Sequence, residues 1–372
     1  MNIGNIMKKI FLIFPLLLIS CSNNNSSIIK YSFNIDKKTA TVVKGNYYNN
    51  INIPSNVIYN NEEYVVDSIS VECFKDNKNI KKVILPSTMK NIGYDAFKNS
   101  SLEEIDLGGN VEILADHLFS TCTSLKSVTG LDNVKQILKG TFENTHLEKL
   151  SFNNLTSVGI DAFFNNKYLK EVSLLGDIVS ISGSSFERCP LLNKVNLSNN
   201  IVNIDSYAFK DCKNLKEIDL KNITSFGKNA FENCSSLNKV DLYSKELPYA
   251  LFKNCSSLED VNLNNVEYIG PSAFYKTNIK SININKEVKE IGSNAFYECN
   301  LSNLVFEDNS SLEHISFRSF YHNNLKEINL PSSIKYIYNE AFKNNKIKKV
   351  ILNKLTNIDS NVFDDNVEIE RI

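Results

Sequence analysis

The stretch LKEIDLKNITSFGKNAFENC, Leu215 to Cys234, decides the fold, because its apolar skeleton returns along the whole chain. The skeleton is Leu215, Ile218, Leu220, Phe226 and Phe231, with Ala230 before the last Phe and Cys234 three residues after it. The closing Phe occurs fourteen times: Phe74, Phe97, Phe119, Phe142, Phe163, Phe186, Phe209, Phe231, Phe252, Phe274, Phe296, Phe320, Phe342 and Phe363. Successive copies lie 21 to 24 residues apart, a period that allows each repeat one short strand and a return. Five residues before each closing Phe the side chain is apolar in all fourteen copies, from Ile69 and Ile92 to Ile337 and Ile358. The opening words are equally regular, as in Leu102-x-x-Ile105-x-Leu107, Leu169-x-x-Val172-x-Leu174 and Leu258-x-x-Val261-x-Leu263. Together these positions predict parallel short strands stacked along one axis, with the Ile and Phe positions forming two further columns in the core.

Working outward, length and composition fit such an array. A chain of 372 residues ordinarily splits into several domains, but a stacked array grows along one axis without that limit. A hydrophobic content of 42% supports a continuous core. A formal charge of −1 gives no electrostatic hold on nucleic acid or anionic lipid. Gly is sparse at 13 residues, and Asn takes its place in the turns, where it tolerates the left-handed conformation.

The repeats resemble the BspA-like leucine-rich repeat proteins of bacterial and some protist surfaces. The shared motif is L-x-x-I-x-L-P followed by I-G-x-x-A-F-x-N-C, matched most fully by IKKVILPSTMKNIGYDAF, Ile80 to Phe97, and LKEINLPSSIKYIYNEAF, Leu325 to Phe342. The resemblance implies a leucine-rich-repeat solenoid, a right-handed superhelix of parallel short strands. It also implies an adhesin or host-contact protein, which composition and spacing do not address. Two places depart from the pattern: Gly130-Leu131 displaces the last apolar strand position, and Glu307 to Ser311 carries an insertion.

Before the array stand an address and a cap. Lys8 and Lys9 precede the apolar run Ile10 to Ile19, which Pro15 alone interrupts; the run is too short to span a bilayer. Leu18-Ile19-Ser20-Cys21 resembles a bacterial lipobox, which implies cleavage before Cys21 and lipidation of its thiol. Residues 1–20 then form a lipoprotein signal peptide, and residues 21–30 a lipidated Cys and flexible tether. An ordinary secretory signal with a chance Cys is the plainer alternative. Residues 31–67 alternate apolar and polar positions, with turn signals at Lys44-Gly45-Asn46 and Tyr59-Asn60-Asn61. That pattern predicts antiparallel hairpins, and a β-rich N-terminal cap is what an otherwise exposed solenoid end requires. Residues 68–372 carry the array of about fourteen repeats.

Outward-facing positions are readable as columns, because strands in register place equivalent residues about 4.8 Å apart. The third strand position alternates in sign along Lys149, Glu171, Lys194, Glu217, Lys239 and Asp260. The position after the closing Phe alternates along Glu187, Lys210, Glu232 and Lys253. Opposite charges across a ladder favour one register, so we read the strand column as a structural charge ladder. At the fifth strand position Asp219 and Asp241 are neighbours, but two carboxylates fall short of the roughly six to eight oxygens of a calcium site. Tyr275, Tyr297 and Tyr321 follow the closing Phe in three consecutive repeats. We read them as a candidate partner-binding patch, the alternative being a packed stack that covers turn backbone.

Catalysis has no signature. Cys122, Cys189, Cys212, Cys234, Cys255 and Cys299 each lie three residues after a closing Phe; such a line suits small buried thiols better than tetrahedral zinc, and we favour free thiols over disulfides between rungs. The four His residues occupy different repeat positions. No G-x-S-x-G elbow, phosphate-binding Gly-rich loop or H-E-x-x-H is present. No enzyme activity, metal or cofactor is expected. The expected partner is a protein or glycan ligand, host-derived in the adhesin reading, with membrane contact through the lipid anchor alone and no nucleic acid. Weak self-association is expected through the final strand Val367 to Ile372. The sequence thus points to a cell-surface binding or adhesion module, lipid-anchored in the bacterial cell envelope at the outer membrane or cell surface. The runner-up is a structural or assembly protein of that envelope without a host ligand.

Overall fold

The computed structural model describes Leu16–Leu17 and residues 27–372. Cys21 and the expected signal and tether fall largely outside the described residues. Leu16–Leu17 makes a two-residue antiparallel pairing with Lys30 and Tyr31. Every regular element among the described residues is a strand, and no helix there is long and apolar enough to cross a membrane.

The repeat is built on three backbone ladders, each following from a sequence position. The L-x-x-I-x-L words give the first. Strands Ile80–Ile84, Glu104–Asp106 and Ser127–Thr129 pair in parallel, as do Lys149–Leu155, Glu171–Gly176 and Lys194–Leu197. Alternate residues in these strands are buried, Leu150 and Phe152 in one and Val172 and Leu174 in the next. The second ladder is the column five residues before the closing Phe. From Glu246–Leu247 to Asn357–Ile358 it forms one six-stranded parallel sheet of two-residue strands. The third runs through the turn. The amide of each closing Phe donates to the carbonyl just before the next one, as Phe74 N–H does to Ala96 at 2.7 Å and Phe209 N–H to Ala230 at 2.8 Å. A small residue before the Phe fits this close stacking, and Ala96, Ala208 and Ala230 are fully buried.

Inside the turns the fourteen closing Phe rings stack face to face. All thirteen successive pairs have centroids 4.8–5.7 Å apart and planes within 22° of parallel. Burying one Phe side chain stabilises the fold by about 1.5–3 kcal/mol through area alone, so this column is a principal part of the core.

Two turn positions in each of the first thirteen repeats adopt left-handed backbone, two residues before and two after the closing Phe. Asp95 and Asn99 bracket Phe97 at φ 54° and 55°, and Asn229 and Asn233 bracket Phe231 at 58° and 62°. Asn, Asp and Gly suit those angles. Thr121 at 59°, Tyr207 at 62° and Ala250 at 56° do not, so the stacked ladder imposes the conformation whatever the residue.

At the N-terminal end, the hairpin between Asn56–Tyr59 and Glu62–Ile69 turns at Asn60-Asn61 as expected, whereas the one between Lys30–Asn34 and Thr39–Val42 turns at residues 35–38 and no hairpin closes at Lys44-Gly45-Asn46. The segment Asn49–Asn52 departs from the hairpin reading. It pairs in parallel with Ile80–Ile84 and begins the strand ladder, burying Ile51 and Ile53 as the repeats bury their own strand residues. The cap and the array therefore share one hydrophobic core. Near Gly130-Leu131 the strand stops at Thr129 and Gly130 takes φ 75°.

Candidate partner-binding face

The residue after the closing Phe points along the rim of the turn. In mid-array this column carries charge, and Glu232 is its best-held member, 8% exposed and bonded to Lys210 at 3.0 Å and Lys253 at 3.3 Å. Burial opposes ionisation of Glu232, but the two ammonium groups outweigh it and hold the carboxyl below its usual range. Beyond Lys253 the charges give way to Tyr275, Tyr297 and Tyr321. Their rings continue the column as a stack, 4.8 Å apart at 13° and then 5.2 Å apart at 10°.

All three Tyr are half-buried, and the stack is flanked by cations and amides. Lys253 and Lys276 lie 5.9 and 5.6 Å from the Tyr275 ring, Arg318 lies 5.0 Å from the Tyr321 ring, and Asn344 donates to the Tyr321 hydroxyl at 2.8 Å. Burial, then the adjacent Glu298, pushes the Tyr297 phenol up. The arrangement presents ring edges and hydroxyls on a ridge three rungs long. Apolar area with a polar tip suits recognition.

The strand charge column is realised in part. Lys149 meets Glu171 at 3.1 Å and Lys239 meets Asp260 at 3.2 Å. Glu171 and Lys194 stand opposite each other in register without an ion pair, and Glu217 lies outside any strand. A tighter column, which sequence reasoning missed, runs just before the two-residue strands. Glu267 is held by Lys245 at 2.9 Å and Lys289 at 2.7 Å, and Glu313 by Lys335 at 2.8 Å. Hydrogen bonds from Lys289 and Lys245 hold the Glu267 carboxyl down to about 2. A second missed column lies one strand position before the first, where Lys81 meets Glu103 and Lys170 meets Glu148, both at 2.7 Å.

The Cys column sits under the turn. Each of its six thiols donates to the carbonyl of the previous closing Phe, at 2.9–3.1 Å. Where the repeat has Asn, the amide does the same work: Asn166 donates to Phe142 at 2.8 Å and Asn323 to Phe296 at 2.7 Å. With Cys73, which follows Glu72 in the first repeat, the solenoid holds seven free buried cysteines. Burial pushes the Cys122 thiol up to about 11 and that of Cys189 to about 12.

The His residues do not converge. His117 and His322 approach Glu143 and Glu298 at 3.6 and 3.5 Å, while His146 packs on Tyr168. Asp219 pairs with Lys221 at 3.0 Å. Among the described residues no group of three His, Cys, Asp or Glu side chains is placed to hold a metal.

Stacked parallel strands, one per 21–24 residues, around a buried Phe column define a leucine-rich repeat solenoid, a class whose members typically bind proteins and typically lack catalysis. Within that class the chain belongs to the family described as BspA type leucine rich repeat region, matched in six copies over residues 41–167, 151–259 and 245–370. A leucine-rich repeat protein from Bacteroides ovatus shares the fold, at TM-score 0.59 and 24% identity over 94% of this chain and 100% of that one. A leucine rich cell surface protein from Faecalibacterium prausnitzii is 21% identical over 92% of this chain and 95% of that one, at TM-score 0.49. No curated protein matches.

Proposed function

We propose that this protein is a non-enzymatic binding or adhesion module, held at the bacterial cell surface by lipid on Cys21 and presenting an extended repeat face to a protein or glycan partner. Fourteen rungs at about 4.8 Å make a face about 65 Å long. The observation that carries the proposal is the change in the rim column, where ion pairing ends and the stacked, half-exposed Tyr275, Tyr297 and Tyr321 begin. An array needing only register would gain nothing from replacing charges with phenols that reach solvent.

A structural envelope role without a host ligand is the second reading. It is favoured by the bonds that tie the Tyr stack to Arg318 and Asn344 within the solenoid. The triple Tyr→Ala variant separates the two. In the binding reading it folds normally and loses attachment to host glycoproteins or glycans displayed on an array. Normal folding with full attachment removes the Tyr patch from the account.

A further inference from the structure

A groove crosses the solenoid beside the six-stranded ladder, and it is built by what the repeats omit. The residue following each two-residue strand is Pro248, Gly270, Gly292, Ser316 and Tyr338 in five successive rungs. Bulk stands at both ends and almost none between, over four rung intervals of about 4.8 Å. The floor is fixed by backbone contact: a Cβ on Gly270 would lie 2.3 Å from the Leu247 carbonyl oxygen, and one on Gly292 2.7 Å from the Pro271 nitrogen. Tyr249 and Tyr268, 45% and 40% exposed, line the groove together with Glu246 and Glu290.

The charges here are uncompensated. Glu246 and Glu290 stand in register on either side of Tyr268, one rung away each. Both are exposed, and neither has an ion-pair partner among the described residues. The nearest lysines in sequence, Lys245 and Lys289, are both engaged by Glu267. Tyr268 already accommodates a cation, with the Lys289 ammonium 5.6 Å from its ring centroid.

We infer that this groove binds a basic, extended protein segment, seating arginine or lysine side chains against Glu246 and Glu290 beside Tyr249 and Tyr268. Two rungs span about 10 Å, close to one turn of a polyproline II chain, three residues at about 3.1 Å each, which returns residue i+3 to the same face, so the fitting pattern is two basic residues three positions apart. Carboxylates beside an aromatic wall favour such cations over neutral ligands. The inference rests on the binding-module reading and names the chemistry of one partner.

The test uses the full chain and a blocked hexapeptide, Gly-Arg-Gly-Gly-Arg-Gly, against the same peptide with citrulline for arginine, titrated at low ionic strength. The arginine peptide is expected to bind roughly tenfold more tightly than the citrulline one. That preference is expected to vanish in the E246Q/E290Q variant and to persist in the triple Tyr275, Tyr297, Tyr321→Ala variant. Equal binding of the two peptides, or an undiminished preference in E246Q/E290Q, overturns the inference. So does a neutral oligosaccharide bound by parent and E246Q/E290Q alike and lost in Tyr249→Ala, which would give the groove to a glycan. Attachment of the parent to an arrayed partner that survives E246Q/E290Q also counts against it while leaving the binding-module reading intact. Absence of any attachment by the parent strikes that broader reading.

Discussion

The Cys234 thiol donates a 3.1 Å hydrogen bond to the carbonyl oxygen of Phe209, the closing residue of the rung before it. Two buried groups are thereby joined across the stack, a carbonyl that also accepts the Cys212 N–H at 3.1 Å within its own turn and a side chain small enough to fit beneath the next one. Cys234→Ala removes the bond between rungs while the carbonyl keeps its Cys212 N–H, at a cost of about 0.5–1.5 kcal/mol, whereas Cys234→Asn supplies the donor that Asn166 and Asn323 provide in their own repeats. Chemical denaturation of the two variants checks this; an Ala variant as stable as the parent would show that the bond contributes nothing.

Those thiols are also shielded from chemistry. Burial raises Cys212 and Cys234 well above the ordinary thiol range, and the thiolate is the reactive form. A disulfide reagent at pH 8 should leave the seven solenoid cysteines unmodified in the folded protein and titrate all of them in denaturant. Rapid modification in the folded state would mean that the turns open.

Truncation within the Phe stack should be costly. Phe231 packs between Phe209 at 5.3 Å and Phe252 at 5.4 Å, so Phe231→Ala is expected to destabilise by about 3–5 kcal/mol. Thermal melting of this variant beside one with Leu355→Ala, whose side chain is 84% exposed, separates core loss from general sensitivity.

The left-handed columns offer gains in the other direction. Thr121 is β-branched at φ 59° and Ala250 is buried at 56°, angles that cost an L-residue about 1 kcal/mol or more. Thr121→Asn and Ala250→Gly should therefore each raise the melting temperature. A lowered value for both would show that something other than backbone conformation limits those turns.

Acid should act on the charge column. The Glu267 carboxyl is held down to about 2 by Lys289 and Lys245, below its value in the unfolded chain, so the unfolded state takes up its proton first as pH falls. The stabilisation is complete above the unfolded carboxylate range and is lost as pH drops through it toward 2. Glu267→Gln should flatten the stability profile over that acidic interval and leave its shape near neutrality unchanged.

The core was legible in the sequence because burial forces one residue class at one spacing. Phe231 and Ile204 could be placed without coordinates, since no polar side chain substitutes at those positions in any repeat. The surface columns were less legible. Lys149, Glu171 and Lys194 alternate in sign, yet only the first pair closes, because exposed lysines have several rotamers and gain little from any one contact. Lys245, Glu267 and Lys289 sit in dissimilar local words, SKEL, VEYI and VKEI, and become a column only once register is known. The groove was harder still: Gly270 and Gly292 mark it through missing side chains, and a search for recurring apolar residues passes over them. Backbone conformation at Tyr207 and Ala250 was hidden for the opposite reason, since the ladder overrides what each residue prefers.

The most direct test of a surface binding module is protease digestion of intact cells that carry the protein, compared with lysed cells. Cleavage of the repeats on intact cells is the predicted result, since a face meant for an external partner must be reachable from outside. Protection on intact cells, with cleavage only after lysis, would place the solenoid within the envelope and contradict the adhesion reading.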